Sequence, residues 1–394
     1  MKKTVFILYT IVLTLMTFWG AKAWFTWFLD TDKNLSLLAY ISFIIVAFLY
    51  KKVFNIKLHF NRNIGIALGC LCLTVLMMDM NLVGSLFYLV KYIPLIVLLN
   101  DINKKRHLEI MANTLGVIAI IGVIGFILAN TANIVIPGIP LIYGDGEVYK
   151  FFFINHYIYI DGDPFGDKRF QSIFLEPGYF ATMSSILLFV RGYDFKKKAN
   201  ICILIGILMS LSLAGYVILA IGYFMHLFEK GISLRRPLMA LCLLAIVFTI
   251  APYINNGNNY VNEFIVKRLQ YDDEKGIAGN NRFWSTTDEA FEQAILNGDI
   301  WFGLSKRDLE SANIGGAGYK IYILQRGLIS LILCMLFYIL LAKKAGNKRH
   351  AIFTVILLTL IYLQACIPDA YRWLIPFSLM LEYPKSKRLP LKEN

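Results

Sequence analysis

Apolar residues in this chain come in long continuous runs from one end to the other, separated by short polar intervals and by two long ones. The runs do not alternate apolar with polar, so they do not fit half-buried strands. A backbone surrounded by apolar side chains must hydrogen-bond to itself, and a helix does so within one segment. About 20 mostly apolar residues cross roughly 30 Å of hydrocarbon. The pattern predicts helices over about residues 4–23, 35–50, 64–78, 82–99 and 108–129, and a sixth entered at Glu176-Pro177. It then predicts a hairpin of two helices turning near 210–215, followed by helices over about 237–253, 318–341, 351–364 and 372–383. The expected fold class is an all-α polytopic membrane protein with about 12 transmembrane helices. It forms a single transmembrane domain over 1–394, with no repeat and no soluble domain.

The two long polar intervals, 130–172 and 254–317, carry local order of their own. In the first, 147–153 and 157–160 are rich in aromatic and β-branched residues around Asn155-His156 and predict a small hairpin, after which Asp161-Gly162-Asp163-Pro164 turns the chain. In the second, Val261, Phe264, Ile265 and Leu269 share one helix face. A further helix is announced by Ser285 with Asp288, then by Ala290, Phe291, Ala294 and Ile295 ahead of Asn297-Gly298. Such amphipathic helices suit a membrane surface or the lid of a cavity. At the N-terminus, Met1-Lys2-Lys3, an apolar run and Ala21-Lys22-Ala23 imitate a cleavable signal peptide. The bulky Trp19 and Trp24 and the many later runs favour an uncleaved first helix.

Composition agrees with the pattern: 58% of residues are hydrophobic and only 16% charged. The net charge of +13 would suit nucleic acid, but its placement argues against that partner. Lys and Arg concentrate in short clusters between apolar runs, at 51–62, 104–106, 191–198, 230–236, 343–349 and 385–388. Counting helices from a cytoplasmic N-terminus brings every cluster to the same side, the positive-inside signature, with both termini cytoplasmic and both long intervals external. The six cysteines fall mainly inside apolar runs with no metal-site spacing and read as small hydrophobes. Of the histidines, only His156 is placed outside.

Against this background, 168–181 stands out. Lys168 and Arg169 precede an apolar segment, and Glu176-Pro177-Gly178 lies in its first turns, where a charge at the bilayer centre would cost about 2.5–3.5 kcal/mol. Proline is tolerated at the start of a helix because its missing N–H has no intrahelical partner there, so Glu176-Pro177 reads as the mouth of a membrane helix and a candidate active site. The external side also collects Arg268, Arg282, Lys306, Arg307, Arg326 and Arg372. Arginine meets phosphate bidentately and stays charged, so such a set can hold a pyrophosphate. Lys91, in the middle of the run 82–99, must snorkel, pair or face a wet cavity, and Pro94 can open the helix there. There is no Walker-type loop, no HExxH and no Ser-His-Asp set, and Asp272-Asp273 reads as a solvated pair rather than a metal site. Neither cofactor nor metal is expected.

Several short motifs complete a known pattern. Arg-x6-Glu-Pro-Gly enters a helix after one external loop; a second external loop carries Asn281-Arg282-Phe283-Trp284 and Trp301-Phe302-Gly303; then Gly315-Gly316-Ala317-Gly318-Tyr319 leads into Leu324-Gln325-Arg326-Gly327. In these motifs and in its architecture the chain resembles the Wzy-type O-antigen and capsular polysaccharide polymerases. The resemblance implies a GT-C-like membrane glycosyltransferase in the bacterial cytoplasmic membrane. It would join polyprenyl-pyrophosphate-linked oligosaccharide units, donor and acceptor, at the outer face, with a chain-length regulator and a flippase as candidate partners. It also implies phosphate contacts for Arg169 and Arg282, supporting substrate contacts for Lys91, Arg268, Tyr319 and Arg326, and for Glu176 either the role of base or that of orienting Arg169. The related O-antigen ligases carry a histidine at the position corresponding to Gly316, counted back from Gly327. Glycine at 316 favours polymerase over ligase and leaves His156 and Asp299 as further candidates for the base. A ligase of the same architecture, or a polysaccharide transporter or flippase, is the alternative reading.

Overall fold

The computed structural model of the chain describes residues 1–59, 61–77, 85, 88–132, 139–143, 147–151, 169–231, 245–246, 248–259, 261–272, 276–277, 285–312, 314–315 and 318–381. It is overwhelmingly helical. The principal helices are α1 Lys2–Gly20, α2 Lys33–Val53, α3 Arg62–Leu76, α4 Ile93–Leu99, α5 Lys104–Ala132, α6 Pro177–Val190, α7 Lys198–Met209, α8 Leu213–Glu229, α9 Ser285–Asn297, α10 Tyr319–Ala342, α11 Lys348–Gln364 and α12 Tyr371–Met380. Among the described residues, four segments, Lys2–Gly20, Asn34–Val53, Lys104–Ala132 and Tyr319–Ala342, are long and apolar enough to cross a membrane. Several starts are set by polar N-caps whose side chains accept otherwise unmatched backbone N–H groups: Asp32 before α2, Asn61 before α3, Ser212 before α8 and Asn347 before α11.

The helix ends sort into two sets through their polar contacts. At one end of the bundle, Glu109 of α5 meets Arg191 and Lys197 of the α6–α7 turn, and His350 of α11 meets Glu229 of α8 at 2.8 Å. There too, His107 Nε2 lies 3.0 Å from Asp101 Oδ2, with both side chains fully buried, while Tyr50 donates to the same carboxylate and Thr10 contacts His107 Nδ1. Lys104 donates to the carbonyls of Leu99 and Leu381. These are the ends that the basic clusters bring to one side. The opposite end gathers the close of α1, the entry of α6, the close of α7 and the starts of α10 and α12.

The core is centred on α12. All of its residues from Tyr371 to Leu379 are buried, and it packs against α1, α4, α5, α6 and α11. Gly20 makes the α1 contact feasible, since a Cβ there would lie 2.7 Å from the backbone nitrogen of Arg372. The free cysteines among the described residues are buried or half-buried.

The structure corrects several expectations. The run 82–99 is not one helix through Lys91, because Tyr88–Val90 and α4 are separated by a turn at Lys91-Tyr92. Pro94 cannot donate to the Val90 carbonyl one turn back and its ring crowds that oxygen, so the helix restarts at Ile93 with proline in its first turn. In the first long loop, strand β2 (Glu147–Phe151) pairs with the preceding strand β1 (Ile139–Tyr143) in antiparallel register, Ile139 opposite Phe151; its expected partner, 157–160, lies outside the described residues together with His156. The apolar run 139–143 supplies a partner that precedes the strand by only a few residues. In the second, 262–266 form a π-helical turn that runs into Lys267–Leu269, and only Ile265 of the expected face is buried while Leu269 is 47% exposed. Helix α10 is interrupted at Gly327, and α12 ends at Met380 rather than 383. Of the helix expected over 237–253, the described part is helical at 248–250 and tightens into a 3-10 turn at Ala251–Gly257.

Candidate functional site

The segment that enters α6 is threaded into the bundle. Residues 170–174 are all buried, and their backbone is matched strand-fashion by neighbouring helix ends. Trp24 donates to the Ile173 carbonyl at 3.0 Å, Leu175 donates to Lys22 at 3.1 Å, and Phe170 donates to Met209 at 3.3 Å. Glu176 is the N-cap of α6 in an extended conformation, with Pro177 at the first helical position as its sequence predicts. Its carboxylate does not cap its own helix but lines a cavity.

The facing wall is α10, and its shape comes from two glycines. At Gly327 the backbone leaves the helix with φ +80° and ψ 157°, a region essentially reserved for glycine. Into this break fits 301–303: a Cβ on Gly327 would lie 2.3 Å from the Trp301 carbonyl oxygen, and one on Gly303 would lie 3.0 Å from the Gly327 nitrogen. Leu304 donates to the Leu324 carbonyl at 2.7 Å, using an acceptor that the interrupted helix leaves open. Helix α9 braces the same region. Thr287 both donates to and accepts from the backbone of Gly315, and Asp288 meets Lys320 at 2.7 Å.

Between these walls lies a cavity of about 330 Å³, at the lower end of the range typical of small-molecule sites. Its polar side presents Glu176, Tyr179, Gln325, Arg326 and Arg372, and its apolar side includes Ala214, Ile321, Ile361 and Ile367. Arg326, one residue before the break, donates to Asp369 Oδ2 at 2.8 Å, with the Tyr322 ring 5.2 Å from its guanidinium carbon. The other Asp369 oxygen is buried without a hydrogen-bond partner. Arg372, in the first turn of α12, is 1% exposed and lies over the rings of Tyr179 and Trp373 at 4.5 and 4.8 Å.

Of the residues singled out in the sequence, Glu176 and Arg326 thus converge on one cavity although 150 positions separate them. Tyr319 is the first residue of α10, next to the cavity-lining Gly318, with its ring edge-on to Phe291 of α9. Lys91 lies 4.0 Å from the Tyr88 ring and 4.5 Å from that of Tyr40, and the Tyr88 hydroxyl in turn faces Arg326. Arg169 and Arg268 do not line the cavity; both stack on Phe264, at 5.3 and 5.8 Å. Glu176 makes no ion pair with Arg169 among the described residues, and the cations sharing its cavity are Arg326 and Arg372. Arg282 lies outside the described residues, and Asp299 opens a short turn in which its carbonyl accepts from Phe302 and Gly303. Sequence reasoning missed Asp369 altogether and placed Arg372 only within the external set of cations able to hold a pyrophosphate. The legible signal was the pair of charges Asp369 and Arg372 between two apolar runs.

Comparison with protein-family models, with curated proteins and with solved structures finds no match in any of the three. Fold and site define the class by architecture: a helical protein with segments able to cross a membrane, enclosing at one end of its bundle a cavity of one carboxylate and two arginines.

Proposed function

We propose that the protein polymerises polyprenyl-pyrophosphate-linked oligosaccharide units at the outer face of the bacterial cytoplasmic membrane, as a polytopic glycosyltransferase of GT-C-like architecture with about 12 spans and both termini in the cytoplasm. One observation carries this reading: Glu176 of the Glu-Pro-Gly motif and Arg326 of the Gln-Arg-Gly motif line one cavity, beside an α10 break seated on Trp301-Phe302-Gly303. In such a transfer the bond from the sugar's anomeric carbon to the pyrophosphate oxygen breaks. A bond to the acceptor hydroxyl oxygen forms, and the hydroxyl proton leaves to a base. Fixed guanidinium groups stabilise charge as it develops on the departing pyrophosphate, and Glu176 is the carboxylate positioned to accept the proton. The Arg169–Phe264–Arg268 stack and Arg282 belong to the surrounding external surface on this reading and would guide the anionic donor.

A strain lacking the protein is expected to display surface glycan capped with a single repeat unit in place of a ladder; an unchanged ladder refutes the proposal. Accumulation of long lipid-linked chains would point instead to ligase chemistry. Glu176→Gln at normal membrane abundance is expected to abolish the ladder, and full activity in both Glu176→Gln and Arg169→Ala would remove these residues from the mechanism.

A further inference from the structure

The second external loop exposes large apolar side chains away from the cavity. Leu296, Trp301 and Phe302 are 78%, 49% and 69% exposed, and none of the three lines it. Large apolar side chains grouped at a surface mark an interaction site, and their depth identifies the partner. Helix α10 is long and apolar enough to cross a membrane, and it closes at the exposed basic pair Lys343-Lys344, where the inner boundary of a bilayer falls. At about 1.5 Å per residue, Gly327 stands about 24 Å above that pair. The hydrocarbon layer is roughly 30 Å thick, so the α10 break lies about 6 Å inside its outer edge, and any tilt of the helix lowers it further. Trp301 and Phe302 are fixed at the same level, since a Cβ on Gly327 would lie 2.3 Å from the Trp301 carbonyl oxygen and 2.7 Å from the Phe302 Cα. About two turns below the break, the same helix begins to turn Ile332, Leu336 and Ile339 outward at the spacing of a lipid-facing stripe.

The backbone of the 301–304 turn meets the demand of that depth. Hydrocarbon offers no hydrogen-bond partners, so non-helical backbone there has to be satisfied by the protein itself. Phe302 and Gly303 donate to the Asp299 carbonyl at 3.2 and 2.8 Å, and Leu304 donates to the Leu324 carbonyl at 2.7 Å, so three successive amides are matched internally. A half-exposed indole adds an N–H able to reach headgroup oxygens while its ring meets acyl chains, the property that enriches tryptophan at membrane boundaries.

We propose that the Trp301-Phe302 turn is a membrane anchor that inserts into the outer leaflet where acyl chains meet headgroups, with Leu296 beside it at the close of α9. The partner is phospholipid, recognised by its hydrocarbon and not by a particular headgroup. Because the turn is seated in the break at Gly327, the bilayer holds the loop against α10 and fixes the depth of the residues next to the break, Arg326 among them. The anchor rests on α10 crossing the bilayer and not on the transfer reaction proposed above.

Hydroxyl-radical footprinting of the full chain in phosphatidylcholine nanodiscs, one copy per disc, tests this without any substitution, because the radicals modify side chains that meet water. Tyr271, 78% exposed in the same loop, is the aqueous reference, and Leu336 of α10 is the lipid reference. After correction for intrinsic reactivity, Trp301 and Phe302 are expected to be modified about tenfold more slowly than Tyr271, as Leu336 is, since water is excluded at that depth. Phosphatidylcholine carrying a photoactivated diazirine high on its acyl chain is expected to form adducts on the peptide that holds Trp301 and Phe302. A diazirine at the chain's terminal methyl is expected to form several-fold fewer. Modification of Trp301 and Phe302 at the Tyr271 rate overturns the anchor and leaves the two rings free for a glycan. Protection without lipid adducts overturns it by assigning the cover to protein, and protection that appears only in discs holding two copies assigns the cover to a second copy of the chain. Rapid modification of Leu336 as well overturns the anchor together with its premise that α10 crosses the bilayer. A normal glycan ladder in the deletion strain alongside lipid adducts at 301–302 would refute the polymerase reading and leave the anchor standing.

Discussion

Gly327→Ala is the sharpest test of how the site is assembled. At φ +80° and ψ 157°, any residue with a Cβ carries strain of about 1–3 kcal/mol. The added methyl would also lie 2.3 Å from the Trp301 carbonyl oxygen and 2.6 Å from the Phe302 carbonyl carbon, backbone atoms that cannot swing aside as a flexible side chain can. Relieving that overlap means lifting 301–304 out of the break, at an overpacking cost of about 1–3 kcal/mol and with the loss of the Leu304-to-Leu324 hydrogen bond, worth about 1 kcal/mol. The total is about 3–7 kcal/mol, enough to unseat Arg326 next door. Gly298→Ala is the control. Gly298 also has positive φ, +81°, but nothing lies within 4 Å of an added Cβ, so it carries the conformational term alone. Thermal unfolding of the purified proteins in detergent, followed by exposure of the buried thiols, should show a much larger drop for Gly327→Ala, together with new proteolysis in 299–305. Equal drops for the two variants would refute the interlock between the external loop and α10.

Three further substitutions separate strong from weak contacts. Asp369→Asn leaves Arg326 without its counter-charge; a loss of about 1.5–3 kcal/mol is expected, and an unchanged unfolding temperature would show that Asp369 does not hold Arg326. Asp101→Asn removes the carboxylate shared by His107, Tyr50 and the Asn103 backbone in a fully buried cluster. A cost of about 3–5 kcal/mol is expected, and a change below about 1 kcal/mol would refute its structural role. Asp288→Asn, by contrast, breaks a pair whose carboxylate is 46% exposed and should change stability by no more than about 1 kcal/mol; a larger loss would mean that this contact, rather than Thr287 and the α10 break, seats α9.

Much of the framework was readable in the chain itself, because hydropathy and charge act locally. Apart from 82–99, where the helix restarts at Ile93, and 237–253, largely outside the described residues, apolar runs located the helices to within a few residues. The Glu176-Pro177 step marked a helix mouth, Asn297-Gly298 marked the end of α9, and Gly298 does take the left-handed conformation there. Of the basic clusters, the Lys and Arg residues of those at 51–62, 104–106, 191–198 and 343–349 lie among the described residues, at helix ends linked by polar contacts. Errors fell where local signals compete. Pro94 and Gly327 each broke a run that hydropathy read as continuous. The strand 147–151 pairs with the apolar run just before it in the chain, a partner that the pattern of the sequence did not single out.

What the chain by itself determined, then, was helix content, helix order and the end of the bundle at which Glu176 and Arg326 lie. Which apolar helix forms the centre was decided only by tertiary structure. In a lipid environment a core-facing leucine and a lipid-facing one have the same hydropathy, so α12, short and carrying both Arg372 and Pro376, gave no sign of being the most buried element. The partners of the charged residues were decided there as well. Arg326 and Asp369 are 43 positions apart, and Glu176 and Arg372 share a cavity across nearly half the chain. Such pairings depend on helix packing through close contacts at Gly20, Gly303 and Gly327, and a contact of that kind exists only once both backbones are in place.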